Sequence, residues 1–317
     1  MLYILVFVLL VTAQLVYFRL ADHFNIIDKP NNRSSHTKIT LRGGGIVFYM
    51  GVLFYFLLCG FQYPWLFAGF TLIALISFVD DIKPQSSKLR LSVHFVAMLL
   101  MFNQLGLYQT PWYFALIALI FCTGVLNAYN FMDGINGING ITGGYSLVVV
   151  GALWYINTYQ VAFVDSNLLY FLLMSLLVFN FFNFRTKAKC FAGDVGAISI
   201  AFVIVFMLCL LILKTKDISY IMLLGLYGVD SILTIMHRIL LKEPIFKPHR
   251  KHLYQLMANE LKIPHVLVSF IYMLIQTLIS AGLLMTTYHY EYAILVISMF
   301  CGIYVLFMKK YFKLHTM

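Results

Sequence analysis

With 317 residues, 62% of them hydrophobic and 11% charged, and a mean hydropathy of +0.89, the chain has too little polar surface to coat a water-soluble globule of its size. Its apolar runs of roughly 17 to 20 residues match helical membrane spans and exclude an outer-membrane barrel, whose strands of about ten residues alternate apolar and polar. The five cysteines show no paired spacing, which argues against a disulfide framework or a zinc site, and the net charge of +10 calls for no nucleic-acid partner once the placement of its basic residues is considered.

Taken in order, the predicted spans lie near 2–20, 44–60, 63–79, 91–107, 111–128, 140–157, 167–183, 196–213, 219–236, 265–284 and 292–308. The first lacks the basic start and small-residue cleavage site of a signal peptide before Arg19, so it reads as a span. The expectation is an all-α polytopic integral membrane protein of about eleven transmembrane helices, forming a single transmembrane catalytic domain over 1–317. Alternate connections then share one side: 21–43, 80–90, 129–139, 184–195, 237–264 and the tail after Met308. Of the 22 lysines and arginines, all but Lys214 and Lys216 fall on that side. Positive charge stays inside, which places the amino terminus outside and the carboxyl terminus in the cytoplasm. Translocation bias alone therefore accounts for the basic balance.

The acidic and amide-rich clusters fall on the same face. Asp80-Asp81 closes the third span, followed by Lys83, Lys88 and Arg90. Neighbouring helical residues point about 100° apart, so the two carboxylates can serve one site in different roles, toward a cation and toward a substrate proton; an isolated Asp-Asp is as readily an ordinary polar helix end. Asn127, Asn130 and Asp133 follow at steps of three, on one helical face, with Gly134, Gly137 and Gly140 behind them to let backbone approach a ligand. Three such groups beside lipid each cost desolvation unless paired, which favours a binding face over a simple turn.

Asp194, in Gly193-Asp194-Val195-Gly196 before the eighth span, can reach a cation unhindered or serve as a helix N-cap. The loop 237–264 carries His237-Arg238 and then Lys247-Pro248-His249-Arg250-Lys251-His252-Leu253-Tyr254-Gln255. Arginine and histidine in one short stretch suit a diphosphate, and equally the anionic headgroups of lipid. Asp230, about two turns before His237, fits an interfacial ion pair as well as a catalytic role.

The ordered set Asp28-Lys29-Pro30 with Arg33 and His36, Gly43-Gly44-Gly45, Asp80-Asp81, Asn127 to Gly134, Gly193 to Gly196 and His249 to Gln255 resembles the polyprenyl-phosphate N-acetylhexosamine-1-phosphate transferases, glycosyltransferase family 4, over nearly the whole chain. That resemblance implies transfer of a sugar-1-phosphate from a UDP-sugar to polyprenyl (undecaprenyl) phosphate, giving polyprenyl-diphospho-sugar and UMP. It implies Asp80 and Asp81 as the catalytic pair, and Asn127 and Asp194 as holders of Mg²⁺, with Mn²⁺ as a substitute. Asp133 is then expected at the nucleotide, Asn130 among the substrate-binding residues, and His249, Arg250 and His252 at the sugar or diphosphate. Arg33, Lys83 and Arg90 are expected at phosphate. The setting implied is the bacterial inner (plasma) membrane, with the site facing the cytoplasm at the start of cell-envelope glycan synthesis; a homodimer is compatible with it.

Two departures bear on the sugar. Ala197 stands where a serine usually follows the Gly-Asp-x-Gly motif, and His252-Leu253-Tyr254-Gln255 replaces a histidine-rich ending. The missing triple histidine argues for a simple UDP-N-acetylhexosamine, such as UDP-N-acetylglucosamine, over a muramoyl-pentapeptide donor. The rival reading is a secondary transporter, but transporters gather binding groups near the midplane on broken helices. Here His94 and Asp230 lie nearer the cytoplasmic ends. A noncatalytic lipid scaffold would use the basic loops but has no use for the four clusters. Whether transfer runs in one step or through an aspartyl-phosphate is open at this level.

Overall fold

The computed structural model describes residues 1–30, 39–133, 141–244 and 251–311. Each expected apolar run is a helix. They are α1 (Leu2–His23), α2 (Ile46–Leu58), α3 (Pro64–Ile82), α4 (Ser87–Gln104), α5 (Trp112–Asp133), α6 (Ile141–Tyr159), α7 (Ser166–Asn183), α8 (Gly193–Thr215), α9 (Gly225–Leu240), α11 (His265–Met285) and α12 (His289–Tyr311). A single turn, α10 (Leu253–Gln255), stands between α9 and α11, and α9 is entered through the 3-10 stretch Ile218–Leu224. Among the described residues, eight segments are long and apolar enough to cross a bilayer: α1, α3, α5, α7, α8, Ile218–Leu240, α11 and His289–Met308. The protein is thus all-α and polytopic. Of the others, α2 is apolar but only 13 residues long, and α4 opens on Lys88 and Arg90.

Local chemistry sets the helix starts. Pro64 occupies the first turn of α3, where its missing N–H is no loss. Ser86 caps α4 by accepting from the Leu89 N–H at 3.2 Å, and Asp165 caps α7 through the Asn167 N–H at 2.8 Å.

α8 is the axis of the bundle, with 89% of its apolar window buried against 17% for α5 and α12, so the latter two face lipid. A helix apolar on every side belongs in the centre. In lipid the helices are held by close packing, which small residues permit. A Cβ on Gly69 of α3 would stand 2.7 Å from the Ala97 carbonyl oxygen of α4, and one on Gly143 of α6 would stand 2.7 Å from the Phe179 ring of α7. These contacts fix helix register.

At one end of the bundle the chain makes its only described sheet. β1 (Ile27–Asp28) pairs antiparallel with β2 (Thr40–Leu41), Ile27 opposite Leu41 and Asp28 opposite Thr40, and Leu41 also bridges Cys190 in parallel. Beyond β2, the Gly44 N–H donates to the Phe191 carbonyl at 2.8 Å and the Gly45 N–H to the Ala192 carbonyl at 3.0 Å. The three glycines are what allow this approach: a Cβ on Gly45 would lie 2.2 Å from Gly196 Cα, and one on Gly44 would lie 2.4 Å from Cys190 Sγ.

Gly45→Ala is therefore expected to force backbone apart at the start of α8 and to destabilise the fold by about 1–3 kcal/mol or more. Thermal unfolding of the detergent-solubilised protein measures it; an unchanged midpoint would show that the two glycine motifs are not packed backbone to backbone.

Candidate active site

Asp81 ends α3 with its side chain fully buried. Its Oδ1 accepts from Arg42 Nε at 2.7 Å and from the Asp194 N–H at 2.9 Å, and its Oδ2 accepts from the Val195 N–H at 3.0 Å. The two backbone donors belong to the first turn of α8, which has no intrahelical partners for them and no side-chain cap from its own Ala192. A carboxylate there satisfies both donors and complements the positive end of the helix dipole. Gly193, with φ of +71°, makes the approach feasible, since a Cβ would meet Asp81 Oδ2 at 2.5 Å. The cap of α8 thus comes from α3. Asp194, which the sequence allowed as an N-cap, lies inside the first helical turn.

Two guanidiniums interleave with the carboxylates. Arg42 follows β2 and is held by its own N–H on the Ile26 carbonyl (3.1 Å) and by the Tyr17 hydroxyl on its carbonyl oxygen (2.6 Å); it also reaches Asp194 at 3.5 Å. Burial alone would lower the pKa of Arg42, but the charges of Asp81, Asp194 and Asp28 outweigh it and raise the pKa. From the first turn of α4, Arg90 Nη1 donates to Asp80 Oδ2 at 2.7 Å and to Asp194 Oδ2 at 3.3 Å. Asp80 Oδ1 accepts the Gln85 N–H at 2.6 Å. Side-chain exposure runs 0% for Asp81, 8% for Asp80 and 18% for Asp194, so an incoming ligand reaches Asp194 first and Asp81 last.

The end of α5 faces the same place. Asp133 accepts the Thr142 hydroxyl at 2.8 Å and lies in electrostatic reach of Asp81, Arg42 and Asp28. Asn130 keeps a buried amide nitrogen without a partner among the described residues. Asn127 points elsewhere: it is exposed and donates to the Thr123 carbonyl one turn back, at 3.0 Å, and makes no hydrogen bond to Asp81 or Asp194. Lys83 is exposed. Arg33, His249 and Arg250 lie outside the described residues.

His252 is buried, with Nδ1 3.4 Å from Asp230 Oδ1. Asp230 also accepts the Leu253 N–H at 3.0 Å and the Tyr272 hydroxyl at 2.8 Å. Asp230 is therefore the post to which α10 is tied, and its imidazole partner is His252, not His237. The Tyr254 hydroxyl then donates to the Phe131 carbonyl at 2.8 Å, joining this segment to the end of α5. Glu243 links Arg238, at 3.3 Å, with Lys251. A separate cavity of about 510 Å³ is lined by Phe18, Arg19, Asp22, Leu41 and Lys189, and by none of Asp80, Asp81 and Asp194.

Residues 63–212 match the family model described as Glycosyl transferase family 4. The chain is 27% identical, over 76% of its length and 72% of the relative's, to the probable undecaprenyl-phosphate N-acetylglucosaminyl 1-phosphate transferase of Bacillus subtilis (strain 168). It is 27% identical to the undecaprenyl-phosphate alpha-N-acetylglucosaminyl 1-phosphate transferase of Salmonella typhimurium, over 76% of this chain and 71% of that one. For the protein of that name in Escherichia coli (strain K12) the identity is 25%, over 80% and 76%. The chain is thus similar to glycosyl transferase family 4 over a little under half of its length. The stretch that matches the family 4 model contains Asp80, Asp81, Arg90, Asn127, Asn130, Asp133 and Asp194.

Arg42 lies outside that stretch and was absent from the sequence-derived site; read in isolation it was one more basic residue on a basic face. Its signal was its place immediately before three glycines, which let this backbone approach the start of α8.

Asp81→Asn would set an amide NH₂ against donors and is expected to lose about 1–3 kcal/mol of stability. Asp80→Asn, whose partner Arg90 is partly exposed, is expected to lose less than about 1 kcal/mol. Thermal unfolding of both variants in the same detergent checks the order; equal losses would remove the capping role of Asp81.

Proposed function

We propose that the protein transfers N-acetylglucosamine-1-phosphate, or that of a related N-acetylhexosamine, from a UDP-sugar to polyprenyl phosphate, giving polyprenyl-diphospho-sugar and UMP. The observation that carries this reading is the meeting of Asp80, Asp81 and Asp194, from helices remote in sequence, with Arg42 and Arg90 at one end of a membrane bundle. Only at such an end can a phosphate on a hydrocarbon tail meet a water-soluble nucleotide sugar. The relatives named above, each an undecaprenyl-phosphate N-acetylglucosaminyl 1-phosphate transferase by name, support the same chemistry.

The proposal includes eleven spans with the amino terminus outside, the carboxyl terminus inside and the site at the cytoplasmic face of the bacterial plasma membrane, supported by the distribution of lysine and arginine. In the reaction, an oxygen of the lipid phosphate bonds to the phosphorus next to the sugar while the bridge from that phosphorus to UMP breaks. Asp80, more open than Asp81, takes the residual proton of the lipid phosphate. Asp81 holds Arg42 and the start of α8 in place. Arg42 and Arg90 stabilise the charge that spreads over the transferring phosphoryl oxygens. Asp133 and Asn130 line the nucleotide side, with Arg33, Lys83, His249, Arg250 and His252 assigned to phosphate and sugar from the family pattern.

Among the described residues no three His, Cys, Asp or Glu side chains converge as a ready-made metal cage. The donor chemistry nevertheless fits Mg²⁺: three carboxylates face two guanidiniums, and Asp194, beside Asp80, meets the guanidiniums only at 3.5 and 3.3 Å. Asp194 would hold the ion, with Asp80 beside it and Asn127 joining by a change of rotamer. Bound there, Mg²⁺ would neutralise the diphosphate of the donor.

Incubating the purified protein in lipid with labelled UDP-N-acetylglucosamine, polyprenyl phosphate and Mg²⁺ is expected to release UMP and to label the lipid. Chelation should stop the reaction, and Asp80→Asn should slow it about a hundredfold or more. Uptake of intact nucleotide sugar into vesicles without UMP release would overturn the proposal in favour of transport.

A further inference from the structure

Just on the membrane side of the carboxylates, two buried polar groups have no partner among the described residues: Nε2 of His94 on α4 and the hydroxyl of Ser77 on α3. We infer that His94 and Ser77 form the subsite that receives the phosphate of the membrane-held acceptor, an inference that rests on the transfer proposed above.

Their placement follows from helix geometry. His94 comes four residues after Arg90, and Ser77 four before Asp81, so each shares a face with a member of the cluster. α3 runs toward the site end and α4 away from it, and the contact of Gly69 with the Ala97 carbonyl sets their antiparallel register. That register puts Ser77 level with Leu89 and Arg90 and His94 about one turn deeper. Because helical side chains tilt toward the amino terminus, the His94 ring leans back toward Arg90. It lies in electrostatic reach of both Arg90 and Asp80.

Buried polar groups left unpaired destabilise a fold, and each calls for a partner such as a water, an ion or a ligand. Ser77 could have spent its hydroxyl on the carbonyl one turn back, as Thr71 of the same helix does with Phe67 at 2.8 Å; it does not. A hydroxyl and an imidazole beneath an arginine offer two donors to phosphate oxygens, with Arg90 supplying the charge. The donor nucleotide arrives from water, above the carboxylates. A phosphate tethered to a hydrocarbon tail arrives from below, at the depth of these two groups.

The test is binding of a short-chain polyprenyl phosphate to the full chain in detergent, without nucleotide, alongside the phosphate-free polyprenol. His94→Leu is expected to weaken binding of the phosphate about tenfold or more and to leave that of the polyprenol unchanged. His94→Gln, which keeps an N–H donor, should restore most of it. In turnover, His94→Leu should raise the KM for the lipid phosphate and not that for the UDP-sugar. Ser77→Ala, which any helix tolerates, repeats the binding test should the leucine variant fold poorly. Unchanged phosphate binding in both Ser77→Ala and His94→Leu, or equal losses for polyprenol and polyprenyl phosphate, would overturn the inference. A wild-type protein that binds the lipid phosphate but releases no UMP would strike the proposed transfer and leave the subsite standing.

Discussion

The structure depends on the Asp81 carboxylate seated on the first turn of α8. α8 is the most deeply buried of the candidate spans, and its first N–H groups have no partners within the helix. Backbone donors left bare there are costly. A single side chain from α3 meets two of them and at the same time binds Arg42, so one interaction joins the central helix, its neighbour and the strand segment beside them.

That joint explains why the site is built from glycines as much as from charges. Gly43 and Gly193 both take positive φ, and Gly44, Gly45, Gly193 and Gly196 all lie where a Cβ would collide with a neighbour. Bringing three carboxylates within reach of one another requires the backbones that carry them to approach closely, and the two guanidiniums then offset part of the repulsion. What results is a compact charged surface at the end of an apolar bundle.

A second anchor operates in the same way further along. Asp230 collects His252, the Leu253 N–H and Tyr272, and the Tyr254 hydroxyl fixes the result to the carbonyl of Phe131. The end of α5, which presents Asn130 and Asp133, is thereby braced by a segment more than a hundred residues away in the chain. Two buried carboxylates, Asp81 and Asp230, serve as posts, while Asp80 and Asp194 are the more accessible members of the charged cluster.

By itself the sequence determined the all-α membrane class and the place of each helix, because span length and hydropathy are local properties of a chain in a bilayer. It also picked out Asp80, Asp81, Asp194 and Arg90, whose residue types and spacing carry their own chemistry. Only the tertiary structure decided that Asp81 is a cap as well as an acid, that Arg42 belongs to the cluster, that Asn127 turns to its own helix and that Asp230 pairs with His252 rather than His237. Those facts depend on which helix ends meet and at what rotation, and helix packing in lipid is settled by close contacts between small residues far apart in sequence.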